Sequence, residues 1–122
     1  MTDNARIISD FIEAWSRLDP DELASYFTDD GVYHNMPVQA VAGRDAVRAM
    51  IKGFISTWTD TDWEIRTLLA SGDTVIVERV DRTKTTSGDV DLPCVGVFEM
   101  QDGRIREWRD YFDLGTYANA MK

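Results

Sequence analysis

The chain has 122 residues, 43% of them hydrophobic and 29% charged, which is typical of one globular domain with a single core. Its formal net charge of −9 argues against nucleic acid and against an anionic membrane surface, since both need a basic face. One cysteine, Cys94, excludes an internal disulfide and a thiolate metal cluster. No basic, apolar leader segment begins the sequence, so we expect a cytoplasmic protein.

The first third of the chain is predicted to be helical. Apolar residues recur at helical spacing over residues 3–18, which predicts one amphipathic helix. An aspartate followed by proline and acids predicts a second, short helix from residue 19 to the turn at 29–31. A short strand over residues 32–35 follows, and a third helix begins at Gly43 and reaches Trp58.

The rest of the chain alternates in the manner of strands. Residues 63–70, 74–83, 90–100 and 104–113 are four predicted strands separated by glycine turns, and residues 116–122 are a predicted terminal helix. Helices followed by a strand meander predict an α+β fold. We therefore expect one domain over residues 1–122, with a curved, mainly antiparallel sheet wrapped around the amino-terminal helices. Such a cone has a mouth where a deep apolar pocket can form.

Polar residues occur in three of these strands, and in two of them they form a pair two residues apart. They are Tyr33 and Asn35, Arg79 and Asp81, and Asp110 in the last strand. A step of two keeps side chains on one face of a strand, so each pair points to a single place. If the three places coincide, the cluster is a plausible site for activating water by acid–base chemistry.

The patterns leave structural alternatives open for each group. Asp110 lies between Trp108 and Phe112 on an aromatic face, where a carboxylate must be paired or titrate abnormally, and a buried ion pair with arginine would satisfy it. On the strand that carries Arg79 and Asp81, both faces begin apolar and end charged, so the alternation does not show which charges face inward. From the pattern alone, exposed cross-strand pairs are the favoured interpretation. An asparagine before a proline turn and a core tyrosine are also common structural residues.

Other chemistries lack their motifs in this sequence. There is no Gly-x-Ser-x-Gly motif, no histidine and cysteine cluster, and no glycine-rich phosphate loop after a strand. Cys94 lies in an apolar run, which favours a small buried side chain over a reactive thiolate. The sequence thus predicts neither a metal nor an organic cofactor.

With these residues identified, the chain resembles the limonene-1,2-epoxide hydrolase family, one of the nuclear-transport-factor-2-like (SnoaL-like) cone folds. The resemblance covers nearly the whole chain and is carried by three motifs. These are a tyrosine and an asparagine two apart before a proline, Glu-Arg-Val-Asp at residues 78–81, and Trp-Arg-Asp at residues 108–110. By resemblance we also expect a homodimer formed through the outer face of the sheet.

The resemblance implies a one-step hydrolysis without a covalent intermediate or a cofactor. Ionised Asp110 would be the general base on a water held by Tyr33 and Asn35. Protonated Asp81 would donate to the departing oxygen of a small apolar epoxide, and Arg79 would lie between the two acids. An ordinary aspartate has a pKa near 3.9, so an acid role needs a shift of about three units. Burial and a second carboxylate are the expected causes.

The apolar part of the substrate pocket is also predicted from the resemblance. Its candidate lining residues are Met36, Leu92, Cys94, Trp108 and Phe112. Thr83 and Cys94 stand where the family has bulkier side chains, which changes the pocket and leaves the acid–base set untouched. A cyclic or terpene-like epoxide is therefore the favoured substrate.

Two other functions fit the same fold. A ketosteroid-isomerase-like or polyketide-cyclase-like enzyme would use Tyr33 and one aspartate but gives Arg79 no task. A cone domain that binds a small apolar ligand without catalysis would keep the polar cluster as a silent salt bridge.

Overall fold

The computed structural model describes residues 3–121, which contain four α-helices, one 3₁₀ turn and a six-stranded sheet. In chain order the elements are α1 (Asp3–Ala14), the 3₁₀ turn (Trp15–Arg17), α2 (Pro20–Ala24), β1 (Phe27–Asn35), β2 (Val41–Ala42), α3 (Arg44–Ile55), β3 (Trp58–Ser71), β4 (Thr74–Thr85), β5 (Asp89–Gln101), β6 (Arg104–Phe112) and α4 (Leu114–Ala120). No helix within residues 3–121 is long and apolar enough to cross a membrane.

The strands form a curved sheet in the order β2-β1-β6-β5-β4-β3. All neighbouring pairs are antiparallel except β1 and β6, which run parallel. The predicted α+β fold, with a mainly antiparallel sheet around amino-terminal helices, is confirmed.

The helices bury their apolar stripes against the concave face of this sheet. The buried stripe of α1 includes Ile8, Phe11 and Ile12, and that of α3 includes Val47 and Ile51. The ring of Phe11 makes edge-on contacts with aromatic rings from the 3₁₀ turn, β1, β5 and β6. Edge-to-face contacts of this kind add to the hydrophobic gain of burying large rings. The core thus links the helices to the strands that carry the polar residues.

Strand β1 begins earlier than the sequence predicts. Phe27, predicted in the second helix, starts the strand, and the predicted turn at residues 29–31 lies within it. The pairing with β6 is irregular between Phe27 and Val32, so a bulge absorbs these turn-like residues. Gly31 suits that bulge because a Cβ there would lie 3.1 Å from the Ile105 carbonyl oxygen and from Phe27.

Several other elements also differ from the prediction. The third helix ends at Ile55, and Trp58 instead begins β3. The short strand β2 carries no pattern long enough to predict. The terminal helix α4 begins two residues early, at Leu114, and Lys122 of the predicted helix lies outside the described residues.

A bulge also changes which side chains of β6 face inward. Ile105 is buried and Arg106 is exposed, although simple alternation with Trp108 predicts the reverse. The register between β5 and β6 shifts between Glu99 and Met100, which places the extra residue at Arg106. Beyond the bulge the alternation is regular, so Trp108 and Asp110 both face the core.

Gly96 on β5 provides the space in which β4, β5 and β6 meet. A Cβ at this position would lie 2.8 Å from Trp108 Nε1, 2.9 Å from Arg79 Nη1 and 2.9 Å from a ring carbon of Phe98. All three neighbours are buried and held by other contacts. Gly96 is not among the residues with positive φ, so the requirement for glycine is space rather than backbone conformation.

The Gly96→Ala substitution is expected to lower the free energy of unfolding by about 1–3 kcal/mol, because overpacking forces buried side chains to move. Urea unfolding of the variant and the wild type measures this. Gly53→Ala is the matched control, since Gly53 lies in α3 with no atom within 4 Å of its Cβ position. It should raise stability by about 0.5–1 kcal/mol. A Gly96→Ala protein as stable as the wild type would contradict the packing argument.

Candidate active site

Strand β4 directs Arg79 and Asp81 into the cone, which resolves the ambiguity of its sequence. Val75 and Val77 on the same face are fully buried, while Glu78 on the other face is exposed. Arg79 is 1% exposed and Asp81 is 6% exposed. The inward face of β4 therefore begins with buried valines and ends with the buried charges of Arg79 and Asp81. Exposed cross-strand pairing of these two residues, the alternative interpretation, is wrong.

The guanidinium of Arg79 joins the two carboxylates. Its Nε and Nη2 donate to Asp81 Oδ1 and Oδ2 at 2.9 and 3.1 Å. Its Nη1 and Nη2 donate to Asp110 Oδ1 and Oδ2 at 2.8 and 2.7 Å. Each carboxylate offers about four lone-pair positions and gives two to Arg79, so each retains capacity for another partner.

Aromatic rings enclose the guanidinium. The Arg79 Cζ lies 4.6 Å from the centre of the Trp63 ring and 5.4 Å from that of Trp108. Both distances are within the range of cation–π attraction, which strengthens where water is excluded. The rings and the carboxylates together hold the arginine side chain in one orientation.

Strand β1 brings Tyr33 and Asn35 to the same place through its parallel pairing with β6. In that register Tyr33 lies opposite Trp108, and Asn35 lies opposite Asp110. The rings of Tyr33 and Trp108 stack with centres 4.2 Å apart and 3° between planes. The Met36 amide donates to the Asp110 carbonyl oxygen at 2.9 Å, which extends the pairing past the strand end. All five predicted catalytic side chains thus come together.

A cavity of about 160 Å³ opens above these polar groups. This is close to the roughly 150 Å³ of an engineered apolar cavity that binds benzene. Tyr33, Asn35, Asp81 and Asp110 form its polar end. Its other walls are Trp63, Thr83, Val90, Leu92 and Phe112, and toward its mouth lie Val38, Phe54, Trp58, Leu114 and Tyr117.

Two of the five predicted apolar lining residues line this cavity, namely Leu92 and Phe112. Met36 does not, because it follows Asn35 and so faces the opposite side. Trp108 does not, because the Tyr33 ring stacks over it. The thiol of Cys94 points to the backbone carbonyl oxygens of Leu92 and Arg79, at 3.5 and 3.9 Å, rather than into the cavity.

Most of the remaining lining residues carry no sequence signal. Thr83 and Val90 are exceptions, since the resemblance already indicates Thr83, and Val90 continues the alternation of Leu92 along β5. Leu114 and Tyr117 reach the mouth because α4 packs back on β5, and Trp58 donates from Nε1 to the Tyr117 hydroxyl at 3.2 Å. That packing is a tertiary contact, which strand and helix periodicity do not predict.

The chain matches known proteins along most of its length. A family model described as the SnoaL-like domain matches residues 8–108. This chain belongs to the SnoaL-like family. The epoxide hydrolase EphG of Mycobacterium tuberculosis (strain ATCC 25618 / H37Rv) is 31% identical to it over 104 residues, which cover 85% of this chain and 69% of EphG.

Solved structures agree with the family assignment. An LEH-like epoxide hydrolase of M. tuberculosis has a TM-score of 0.84 and 28% identity over 98% of this SnoaL-like chain and 89% of its own. SalBIII, an epoxide hydrolase/cyclase-like enzyme with a role in pyran ring formation in the polyether salinomycin, has a TM-score of 0.81. Its identity is 18% over 93% of this chain and 92% of its own, so that likeness concerns the fold alone. The resemblance to limonene-1,2-epoxide hydrolases is confirmed at the level of the family.

Burial and charge set the protonation of the site in this SnoaL-like domain. Burial and, to a smaller extent, the charge on Asp110 raise the pKa of Asp81 to about 6 against the opposing effect of Arg79. Burial also raises the pKa of Tyr33 well above its ordinary value, so the phenol keeps its proton and can donate. For Arg79, burial lowers the pKa, but the two carboxylates outweigh it and the pKa lies well above the usual value. The arginine is therefore a permanent cation.

The same region contains side chains that could in principle bind a metal ion, but Arg79 is already bound to the two carboxylates there. Oxygen atoms of Asp81 and Asp110 and the sulfur of Cys94 lie within 4.8 Å of one another. Arg79 already occupies the space between the two carboxylates. Burial raises the pKa of the Cys94 thiol far above its usual value, which disfavours the thiolate that metal binding requires. The donor set fits a guanidinium better than a metal ion.

The raised pKa of Asp81 predicts a specific dependence of stability on pH. The folded state holds the Asp81 proton more tightly than the unfolded chain, so stability falls as pH rises from about 4 to about 6. A shift of this size corresponds to about 3 kcal/mol. Asp81→Asn should lack this part of the decline, as measured by urea unfolding between pH 4 and 7.

The control for this measurement is Asp62→Asn, which removes an exposed carboxylate from β3 away from the pair. For this variant the free energy of unfolding should fall with pH as steeply as it does for the wild type. Equal slopes for the wild type and Asp81→Asn would show that Asp81 does not hold a proton in the folded domain at mildly acidic pH.

Proposed function

We propose that this SnoaL-like protein is a cofactor-independent epoxide hydrolase that adds water to a small cyclic or terpene-like epoxide to give a vicinal diol. The observation that carries the proposal is the bridge from one arginine to two buried carboxylates at the polar end of an apolar cavity. Kinship with an epoxide hydrolase at 31% identity supports the same reaction class.

In the proposed reaction Asp110 accepts a proton from a water molecule that Tyr33 and Asn35 orient. The water oxygen attacks one epoxide carbon, and the bond from that carbon to the epoxide oxygen breaks. The departing oxygen takes the proton of Asp81, so a diol is formed in one step. Asp110 then loses its proton to solvent and Asp81 regains one from solvent, which restores the starting state. Positioned acid and base groups of this kind each contribute about 10²–10⁴-fold to a rate.

The acid role of Asp81 is supported by its environment. With a pKa of about 6, roughly a tenth of the Asp81 carboxyl is protonated at pH 7. An ordinary aspartate would be about 0.1% protonated at that pH. Both carboxyls accept hydrogen bonds from Arg79, and the raised pKa of Asp81 supports its assignment as the proton donor.

The isomerase or cyclase alternative accounts for fewer of these contacts. Such an enzyme needs one carboxylate base and a donor for an enolate oxygen, which Asp110 and Tyr33 could supply. It gives no task to the four hydrogen bonds with which Arg79 holds both carboxyls. A non-catalytic cone would have no use for a polar cluster that costs free energy to bury.

The test is a panel of small epoxides, including cyclohexene oxide and limonene oxide, incubated with the protein in isotopically labelled water. The expected product is a diol with one labelled oxygen, detected by mass spectrometry. Multiple turnovers should leave no label in the protein, because no ester with a carboxylate forms. No diol from the panel, together with turnover of a ketosteroid, would overturn the proposal.

Asp81→Asn and Asp110→Asn should each lower kcat on an accepted epoxide by at least about 10²-fold, since each removes one proton-transfer step. Both variants should remain folded, because the other carboxylate still pairs with Arg79. Asp62→Asn is the matched control and should keep the wild-type rate. Near-normal turnover by either site variant would show that the assigned roles are wrong.

The acid role also fixes the direction of the pH dependence. Because Asp81 must be protonated, kcat/KM should fall as pH rises above about 6, and the decline should approach tenfold per pH unit. A series of initial rates between pH 5 and 9 measures it. A rate that rises through the same range would assign the ionised form of Asp81 to the reaction.

A further inference from the structure

Thr83 is a polar group on the cavity wall that the proposed acid–base set does not use. It follows Asp81 by two residues on β4, so both side chains face the cavity. The residue is 4% exposed and lies opposite Val90 on the neighbouring strand. A hydroxyl in such apolar surroundings needs hydrogen-bond partners, since a buried polar group without them is destabilising.

The neighbours of Thr83 satisfy only part of its capacity. Trp63 Nε1 donates to Thr61 Oγ1 at 3.0 Å, and this indole N–H cannot accept in return. The hydroxyl oxygens of Thr61 and Thr83 are 2.7 Å apart. The Thr61 hydroxyl also lies 3.3 Å from the Arg82 carbonyl oxygen. Within residues 3–121 the Thr83 hydroxyl has no hydrogen-bond partner other than Thr61.

These contacts allow two arrangements of hydroxyl protons. If Thr61 donates to the Arg82 carbonyl, Thr83 donates to Thr61 and keeps both lone pairs. If Thr61 donates to Thr83, Thr83 keeps its own O–H and one lone pair. In each arrangement the Thr83 hydroxyl has at least one unused hydrogen-bonding position, and Thr83 is a residue of the cavity wall.

We propose that Thr83 binds an oxygen substituent of the substrate. The preferred substrates are then cyclic epoxides that carry a second oxygen, rather than epoxides whose only oxygen is that of the epoxide ring. The inference rests on the proposed function, since it assigns a substrate class to the same cavity. Side chains two apart on a strand are separated by about 7 Å. The substituent therefore lies on the side of the ring away from the epoxide oxygen that Asp81 protonates.

This arrangement discriminates by leaving a wall hydroxyl unpaired when the substituent is apolar. Sites built to hydrogen-bond a substrate group lose binding when that group is absent, because their buried polar atom loses its partner. An apolar wall has the reverse property, since it leaves the hydroxyl of an oxygenated substrate unpaired. Thr83 should thus control the ratio of activities on two substrates of equal size.

The test uses two forms of cyclohexene oxide, one with a hydroxymethyl group and one with an ethyl group on the ring carbon distal to the epoxide. The two substituents have nearly the same shape and differ in the oxygen. The readout is the ratio of kcat/KM for the hydroxymethyl probe to that for the ethyl probe. Thr83→Val, which replaces the hydroxyl by a methyl group, should lower this ratio about fivefold, the effect of one neutral hydrogen bond.

Three further variants complete the design. Thr83→Ser keeps the hydroxyl and should keep the ratio within about twofold of the wild type. Thr83→Ala should lower the ratio as Thr83→Val does, which preserves the test if the valine variant does not fold. Thr67→Val removes an exposed hydroxyl of β3 that bonds to Glu78, and it should not change the ratio. Thermal melting of each variant checks its folding.

The outcomes separate this inference from the proposed function. Hydrolysis of neither probe by the wild type, with no diol from the wider panel, would overturn both. Hydrolysis of both probes with an unchanged ratio in Thr83→Val and Thr83→Ala would overturn the role of Thr83 and leave the hydrolase intact. A ratio that falls in both variants and returns in Thr83→Ser would support it.

Discussion

One guanidinium buried with two carboxyl groups is the constraint on which the rest of this structure depends. Arg79, Asp81 and Asp110 are each at most 6% exposed, so solvent does little to stabilise their charges. A single positive charge can balance only one carboxylate, and an unbalanced buried charge costs several kcal/mol. Burial therefore favours a proton on one member of the pair, and the raised pKa of Asp81 identifies that member. The different roles proposed for the two carboxyl groups follow from this shortage of positive charge.

The surrounding fold positions the cluster through the strands that carry its side chains and the residues that pack around them. Three strands supply the groups, β4 for the arginine and one acid, β6 for the other acid, and β1 for the tyrosine and asparagine. Gly96 on β5 leaves room between β4 and β6, and Trp63 and Trp108 cover the guanidinium. The indole N–H of Trp108 is buried without a hydrogen-bond partner among the described residues, which is destabilising. Stacking of the Trp108 ring on Tyr33 and Phe98 offsets this loss.

The sequence predicted the fold class and the members of the cluster better than it predicted their surroundings. Alternation placed Asp110 inward, but for Arg79 the two faces of β4 look alike, and only the pairing with its neighbouring strands and the covering helices decides. Residues 29–31 have turn composition, yet the parallel pairing with β6 makes them part of a strand. The resemblance placed Trp108 and Cys94 in the cavity wall. Both side chains are buried, but a cavity depends on which neighbours cover a buried side chain.

The same charge constraint governs the proposed reaction from start to finish. With Asp81 protonated and Asp110 ionised, the cluster that includes Arg79 has no net charge. As the epoxide opens, Asp110 gains a proton from water while Asp81 loses one to the departing oxygen, so the net charge stays at zero. Nη2 of Arg79 donates to both carboxyls, to Asp81 at 3.1 Å and to Asp110 at 2.7 Å. The guanidinium can therefore stabilise negative charge on either carboxyl without changing its position. A preorganised cation of this kind requires little reorganisation during the reaction, which is how fixed charges lower barriers in apolar sites.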